Sequence, residues 1–304
     1  MTKHTTTQSR AFDLPKPPSE FFIGRDKLIS QLDDAIVRGA SAPVAKQATA
    51  IVLSDIEGCL NLDPRTYDHA VLSKLREVNE QATWTNALPF ITLCTGRQAP
   101  FVDAFSAFLS VRLPVIFEGG CGLFFPTEPP GARHQWHPLI SDANAERYRQ
   151  LEVVVSRVAT DAEAKASLGK GRLLTYHPSS SDSVDDLVTK FTRALAEEHI
   201  DAVVTRSANA VDISVAGITK GTAVSWLLDT IHERGGPALT ADQVVGLGDA
   251  PNDVAFLEVV GTSVAPANAE PGIATKVDRQ SIYTDAKAVA ETVIAAISDN
   301  LAAP

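Results

Sequence analysis

Residues 243–253 read QVVGLGDAPND, a short apolar run that stops on a turn of glycine, proline and acid. A run of that length bounded by turn residues predicts a buried strand. Its turn places Asp249, Asn252 and Asp253 just past the strand's carboxyl end. Two upstream stretches share this grammar: 50–60, AIVLSDIEGCL, and 90–97, FITLCTGR. Between and after these runs the apolar spacing becomes helical. Val71, Leu72, Leu75 and Val78 mark a helix over 65–81, and 99–109 is a second. Val224, Leu227, Leu228 and Ile231 mark another over 219–234, and 286–298 closes the chain. Short strands are also expected at 115–117 and 262–265. Strands alternating with helices predict an α/β fold, a parallel sheet covered on both faces.

The middle of the chain breaks the alternation. Residues 118–138 are rich in Gly, Pro and aromatics and predict a hairpin and a loop. A helix at 142–160, a strand at 172–176, a helix at 182–198 and strands at 202–206 and 210–215 follow. This pattern reads as an inserted α+β domain. The division is then 49–122 with 217–304 as core, 123–216 as insert, and 1–48 as an N-terminal extension. In that extension, 1–18 ends in Pro15, Pro17 and Pro18 and is left unstructured. Ser19 caps a helix over 19–38 carrying Ile23, Leu28, Leu32 and Ile36, and 39–48 is a linker.

Composition narrows the function classes. The chain has 304 residues, 27 Lys+Arg and 37 Asp+Glu, a formal net charge of −10. Non-specific nucleic-acid binding runs on surplus cations, so that class is disfavoured. No apolar run approaches the ~18 residues that span a bilayer, so no membrane partner is expected. The first ten residues lack the apolar stretch of a secretory signal. Three cysteines, Cys59, Cys94 and Cys121, cannot build a disulfide framework. A cytoplasmic protein, monomer or homodimer, is the expectation.

Ligands of open parallel sheets bind at the carboxyl ends of the strands, so the polar turns are expected to meet there. Their residue types suit removal of a phosphate, a dianion that must be neutralised before a nucleophile approaches. Asp55, Asp249 and Asp253 can hold a hard divalent cation, most plausibly Mg²⁺. Lys220 adds a compact positive charge and Thr95 a hydroxyl donor. Gly58 permits close backbone approach. A carboxylate held this way can act as nucleophile, and a second one two residues on, Glu57, as acid and then base.

The four clusters DIEGC (55–59), TGR (95–97), TKG (219–221) and GDAPND (248–253) resemble, in order, the four motifs of the haloacid dehalogenase (HAD) superfamily. The resemblance extends over about 49–298. It implies a Rossmann-like HAD core with an inserted C2-type cap. DISVAGITKGTAVSWLL (212–228) and FEGG (117–120) resemble the Cof-type branch, which includes sucrose-phosphate and mannosyl-3-phosphoglycerate phosphatases. By that resemblance Asp55 is the nucleophile, and its carboxylate, the carbonyl of Glu57 and Asp249 bind Mg²⁺. Asp253 ligates or orients a metal water, Asn252 supports Lys220 or the metal shell, and Thr95 and Lys220 hold the phosphoryl group. The implied activity is hydrolysis of a small phosphate ester through an aspartyl-phosphate.

The chain departs from the pattern in two places. Glu57 stands where Asp is usual, one methylene longer, and Cys59 replaces the usual Thr. Positioning errors near 1 Å can cost ~10²-fold, so Glu57 either works in an adapted pocket or marks a weakened enzyme. A phosphomutase and a silent HAD-like binding module stay open as alternatives. Gly58, Gly96, Arg97, Glu118 and Asn252 are candidate substrate contacts in the core. Arg206, Ser207 and Asn209 are candidates in a hairpin turn of the insert. Cys59 and Cys94 are read as small buried residues, and His134 and His137 as parts of a surface loop.

Overall fold

The computed structural model describes residues 24–303, apart from 64, 180, 181 and 208. The expected disorder of 1–18 and the Ser19 cap lie outside these residues. The first helix, α1 (Arg25–Ser41), starts after Gly24 and runs three residues past the expected end. Its Leu28, Leu32, Ala35 and Ile36 are buried in the main core.

Five parallel strands make the central sheet, in the order β12–β11–β10–β1–β2. They are β1 (Ile51–Ser54), β2 (Phe90–Leu93), β10 (Val244–Leu247), β11 (Thr262–Ala265) and β12 (Arg279–Gln280). β1, β2 and β10 are buried at every position, which is why they read as apolar runs without alternation. Helices α2 (His69–Gln81), α3 (Ala99–Phe108), α6 (Lys220–Glu233), α7 (Val254–Leu257) and α8 (Asp285–Ala302) surround the sheet. α2 begins four residues later than periodicity predicts, because the Asp68 side chain accepts from Val71 N–H and caps it there. β12 has only two residues, too few to show a period.

β3 (Val115–Phe117) pairs antiparallel with β4 (Gly122–Phe124), and β4 with β5 (His134–Trp136). A parallel bridge from Cys94 to Ile116 joins β3 to the end of β2. The hairpin β4–β5 was assigned to the insert by sequence, yet Leu123, Phe124 and Phe125 pack into the main core. A second hydrophobic cluster draws on Ile140, Leu151, Val155, Leu187, Phe191, Ile213 and Ile218. It lies between α4 (Ala145–Asp161), α5 (Val184–Glu197) and an antiparallel sheet ordered β6–β7–β9–β8. Those strands are β6 (Lys165–Ala166), β7 (Leu174–His177), β8 (Ala202–Arg206) and β9 (Val211–Val215). The insert is thus an α+β cap, whose core takes in Cys121 and then residues from Ile140 onward.

The connectivity decides where a ligand goes. From β1 the chain proceeds to β2 on one side, while β10, β11 and β12 extend the sheet on the other. The order reverses between β1 and β10, and the crevice of such a sheet opens at the carboxyl ends of those two strands. Asp55 follows β1 and 248–253 follows β10.

Candidate active site

The ladder carries one residue beyond β1: Asp55 N–H donates to Leu247 O at 2.9 Å. This fixes the Asp55 backbone against β10. The chain then turns at Gly58, whose φ is +77°. A Cβ there would stand 2.1 Å from Asp249 Oδ2, so only glycine lets the two turns close on each other. Asn61 Oδ1 accepts from Gly58 N–H at 3.2 Å, and Asn268 Nδ2 donates to Gly58 O at 2.8 Å.

Lys220 is the first residue of α6, where a cation meets an unfavourable helix dipole. The Thr219 hydroxyl accepts from Thr222 N–H, and the Thr222 hydroxyl accepts from Thr219 N–H, so the helix start is capped. Gly221 lets α6 approach α7, since a Cβ would meet Ala255 O at 2.1 Å. The Lys220 ammonium lies 3.1 Å from Asp55 Oδ2 and 2.6 Å from Asp253 Oδ1, and it is 2% exposed. Asp253 has no exposed surface; its Oδ2 accepts from the N–H groups of Asp249 and Ala250 at 2.9 and 3.1 Å. Both Asp253 oxygens are therefore engaged in holding Lys220 and its own turn.

Ligand atoms of Asp55, Asp249 and Asp253 all lie within 4.8 Å of one another. Asp55 Oδ1 is buried with no hydrogen-bond partner. Burial first, then Asp253 and Glu57 against the opposing pull of Lys220, raise Asp55 to about 7. Burial, with Asp253 and Asp55, raises Asp249 to about 9. Burial works against the Lys220 charge, but Asp253 and Asp55 outweigh it and hold the ammonium well above its usual range. An orphaned carboxylate oxygen beside crowded acids that resist ionising fits a hard divalent cation.

Thr95 is fully buried after β2, and its hydroxyl accepts from Arg97 N–H at 3.1 Å, leaving its own proton free to donate. Asn252 sits in the same turn as Asp253, with its Oδ1 buried and unpartnered. The geometry brings together Asp55, Gly58, Lys220, Asp249 and Asp253, while Thr95 and Gly96 follow β2 and Asn252 shares the turn of Asp253. Glu57 is nearby but bound: Arg97 Nε and Nη2 reach its Oε1 at 2.6 and 2.5 Å. Arg97 is therefore the partner of Glu57 and stacks on Phe101.

The other candidates are held by protein partners. Glu118 is 1% exposed, and its carboxylate accepts from the N–H groups of Gly171, Arg172 and Leu173 at 2.7–3.0 Å. It binds the cap to the core, with three backbone N–H groups converging on one buried carboxylate. Arg206 pairs with Glu270 at 2.6 Å and Asp185 at 3.6 Å. Ser207 closes its own turn onto Ala210 O, and Asn209 O contacts the His177 ring. All three thiols are buried, and burial raises each one, which leaves them poor nucleophiles. His137 Nδ1 accepts from Leu139 N–H and its ring packs on Trp226, a structural use.

Sequence reading missed Lys170, which donates to Gly96 O, Asp212, which accepts from the Thr175 hydroxyl, Asn268 on Gly58 O, and Glu270 on Arg206. Asp212 alone left a trace, because VDISV alternates and puts Asp212 and Ser214 on one face of β9.

A family model for haloacid dehalogenase-like hydrolases matches residues 155–293. The phosphoglycolate phosphatase of Natronomonas pharaonis is 26% identical over 218 residues, 71% of this chain and 84% of that protein. The sucrose-phosphatase of Synechocystis sp. PCC6803, solved with sucrose and phosphate, superposes with a TM-score of 0.63 at 17% identity. That match covers 83% of this chain and 98% of the other. A HAD/COF-like hydrolase from Plasmodium vivax gives 0.61 at 14% identity over 88% of this chain and 99% of the other. At such identities the superpositions establish the fold.

Proposed function

We propose that this chain, a haloacid dehalogenase-like hydrolase, is a phosphatase that releases phosphate from a small phosphorylated metabolite, a sugar phosphate or a phosphoglycerate glycoside, with Mg²⁺ as cofactor. One observation carries the reading. Asp55 is a buried carboxylate with one oxygen bound to Lys220 and the other open, at the sheet's reversal point beside Asp249 and Asp253. Two of the similar proteins are themselves named phosphatases.

Asp55, the carbonyl of Glu57 and Asp249 would hold the cation, with Asp253 orienting its shell. When bound, the cation screens the acids from the phosphate dianion and polarises the phosphoryl oxygens. Lys220 and the Thr95 hydroxyl bind those same oxygens. Asp55 attacks phosphorus, the ester P–O bond breaks, and Glu57 gives the leaving oxygen its proton. The aspartyl-phosphate is then hydrolysed by water whose proton Glu57 takes back. Arg97 holds Glu57 through Oε1 alone, so in this reading Oε2 would carry the proton.

The test is phosphate release from a panel of phosphate esters with Mg²⁺. Asp55→Asn is expected to lower kcat by roughly 10⁴-fold or more, the scale of losing a nucleophile. Full activity in Asp55→Asn sinks the reading.

A further inference from the structure

The cap sets two charged side chains over Gly96, the middle residue of the second polar turn. Lys170 Nζ and Asp212 Oδ2 each lie 4.0 Å from the point where a Gly96 Cβ would stand. No ion pair joins them among the described residues. Lys170 donates to the carbonyl of Gly96 itself, which uses one of its three N–H donors. Its loop cannot drift, because the next three amides, of Gly171, Arg172 and Leu173, are tied to the buried Glu118. Asp212 is 7% exposed. Its Oδ1 accepts from the Thr175 hydroxyl across the β7–β9 pair, while no protein donor reaches Oδ2 among the described residues. Oδ2 is reached by solvent rather than sealed, and lying over the Gly96 turn it is open to a ligand donor.

We propose that Lys170 and Asp212 select the leaving group, and that this group belongs to the small hydroxylated acids: a free hydroxyl for Asp212 and a second anionic group for Lys170. The inference rests on the phosphatase reading above and names its substrate class. A neutral hydroxyl suits Asp212 better than an amine, because Lys170 already supplies a positive charge at the same turn. An anionic group suits Lys170 because Gly96 O leaves its other donors available.

Four esters separate the two contacts. 3-Phosphoglycerate carries both a hydroxyl and a carboxylate, glycerol 3-phosphate hydroxyls alone, 2-phosphoglycolate a carboxylate alone, and p-nitrophenyl phosphate neither. Phosphate release by the full chain with Mg²⁺ gives kcat/KM for each. Wild type is expected to rank 3-phosphoglycerate first. Lys170→Met should cut its preference over glycerol 3-phosphate by at least about 10-fold, and Asp212→Ala its preference over 2-phosphoglycolate by as much, both mainly through KM. Ratios between substrates cancel any uniform loss from poorer folding. Lys170→Arg, which keeps the charge, should hold its ratio within about 3-fold. If wild-type release depends on Asp55 but p-nitrophenyl phosphate ranks first, or the ratios do not move, the inference falls and the phosphatase reading stands. If Asp55→Asn keeps its rate, that reading falls and the inference with it.

Discussion

Lys220 in the core and Lys170 in the cap are held in opposite ways. Lys220 is buried between two carboxylates, and one of these, Asp253, has both oxygens in use. Lys170 rests on a backbone carbonyl and faces a carboxylate whose second oxygen is open. The contrast follows the division of labour. In the core Lys220 is fixed by Asp253 and Asp55 before a ligand arrives, while Asp55 Oδ1 and Asp249 are left for a cation. Groups that discriminate keep open donors and acceptors. Damage should divide the same way: core changes should cost stability and turnover on every ester, and cap changes should cost preference.

The hardest test of this division is Lys220→Met. It leaves Asp55 and Asp253 buried without their cation, and breaking such a cluster costs about 3–5 kcal/mol. Urea or thermal unfolding should show that loss along with the loss of turnover. A variant as stable as wild type would mean that the lysine is not what neutralises the core.

Next in size is Gly58→Ala. The methyl group would fall on the Asp249 carboxylate, and φ would stay at +77°, a strain of about 1–3 kcal/mol. The expected outcome is a lower midpoint of unfolding and weaker Mg²⁺ binding by titration calorimetry. Unchanged Mg²⁺ affinity would separate the Gly58 turn from the metal site.

The core acids were legible in the sequence because their turns follow buried strands, Asp55 directly after β1 and 248–253 after β10, so local pattern and tertiary place coincide. The cap contacts were not. Lys170 meets Gly96 across 74 residues of chain, and Arg206 meets Glu270 across 64. No periodicity records a pairing of that kind. Glu118 was misread for the same reason, since its partners are backbone amides of a loop that nothing local announces. Two-residue strands such as β6 and β12 escaped because a period of two needs more than two residues to show.

The acid cluster also predicts an unusual pH response. Asp55 at about 7 and Asp249 at about 9 titrate above the ordinary carboxylate value of 3.8 that applies when unfolded. Between about pH 4 and 9 the metal-free folded state binds more protons than the unfolded chain, so this contribution to stability is full below about pH 4 and falls as pH rises. In a chelator, Tm should decline from about pH 5 to 9; with Mg²⁺, which favours the ionised acids, the decline should flatten. A chelated protein that gains stability over that range would contradict the crowding of Asp55, Asp249 and Asp253.

The smallest expected effect sharpens the comparison within the cap. Links that tie the cap to the core include the buried Glu118 carboxylate on three amides, the Lys170 hydrogen bond to Gly96 O, and the Arg206–Glu270 pair. Arg206 and Glu270 side chains are 37% and 22% exposed, so solvent screens them and the pair contributes about 0.2–1 kcal/mol. Its position still matters, because Glu270 N–H donates to Asp249 O at 2.8 Å, next to the acid cluster. Arg206→Ala should lower Tm slightly, with the deficit shrinking as salt rises. Hydrogen exchange at Gly171, Arg172 and Leu173 should stay slow, because Glu118 holds them independently. Fast exchange there in Arg206→Ala would show that the exposed pair, and not Glu118, keeps Lys170 over Gly96.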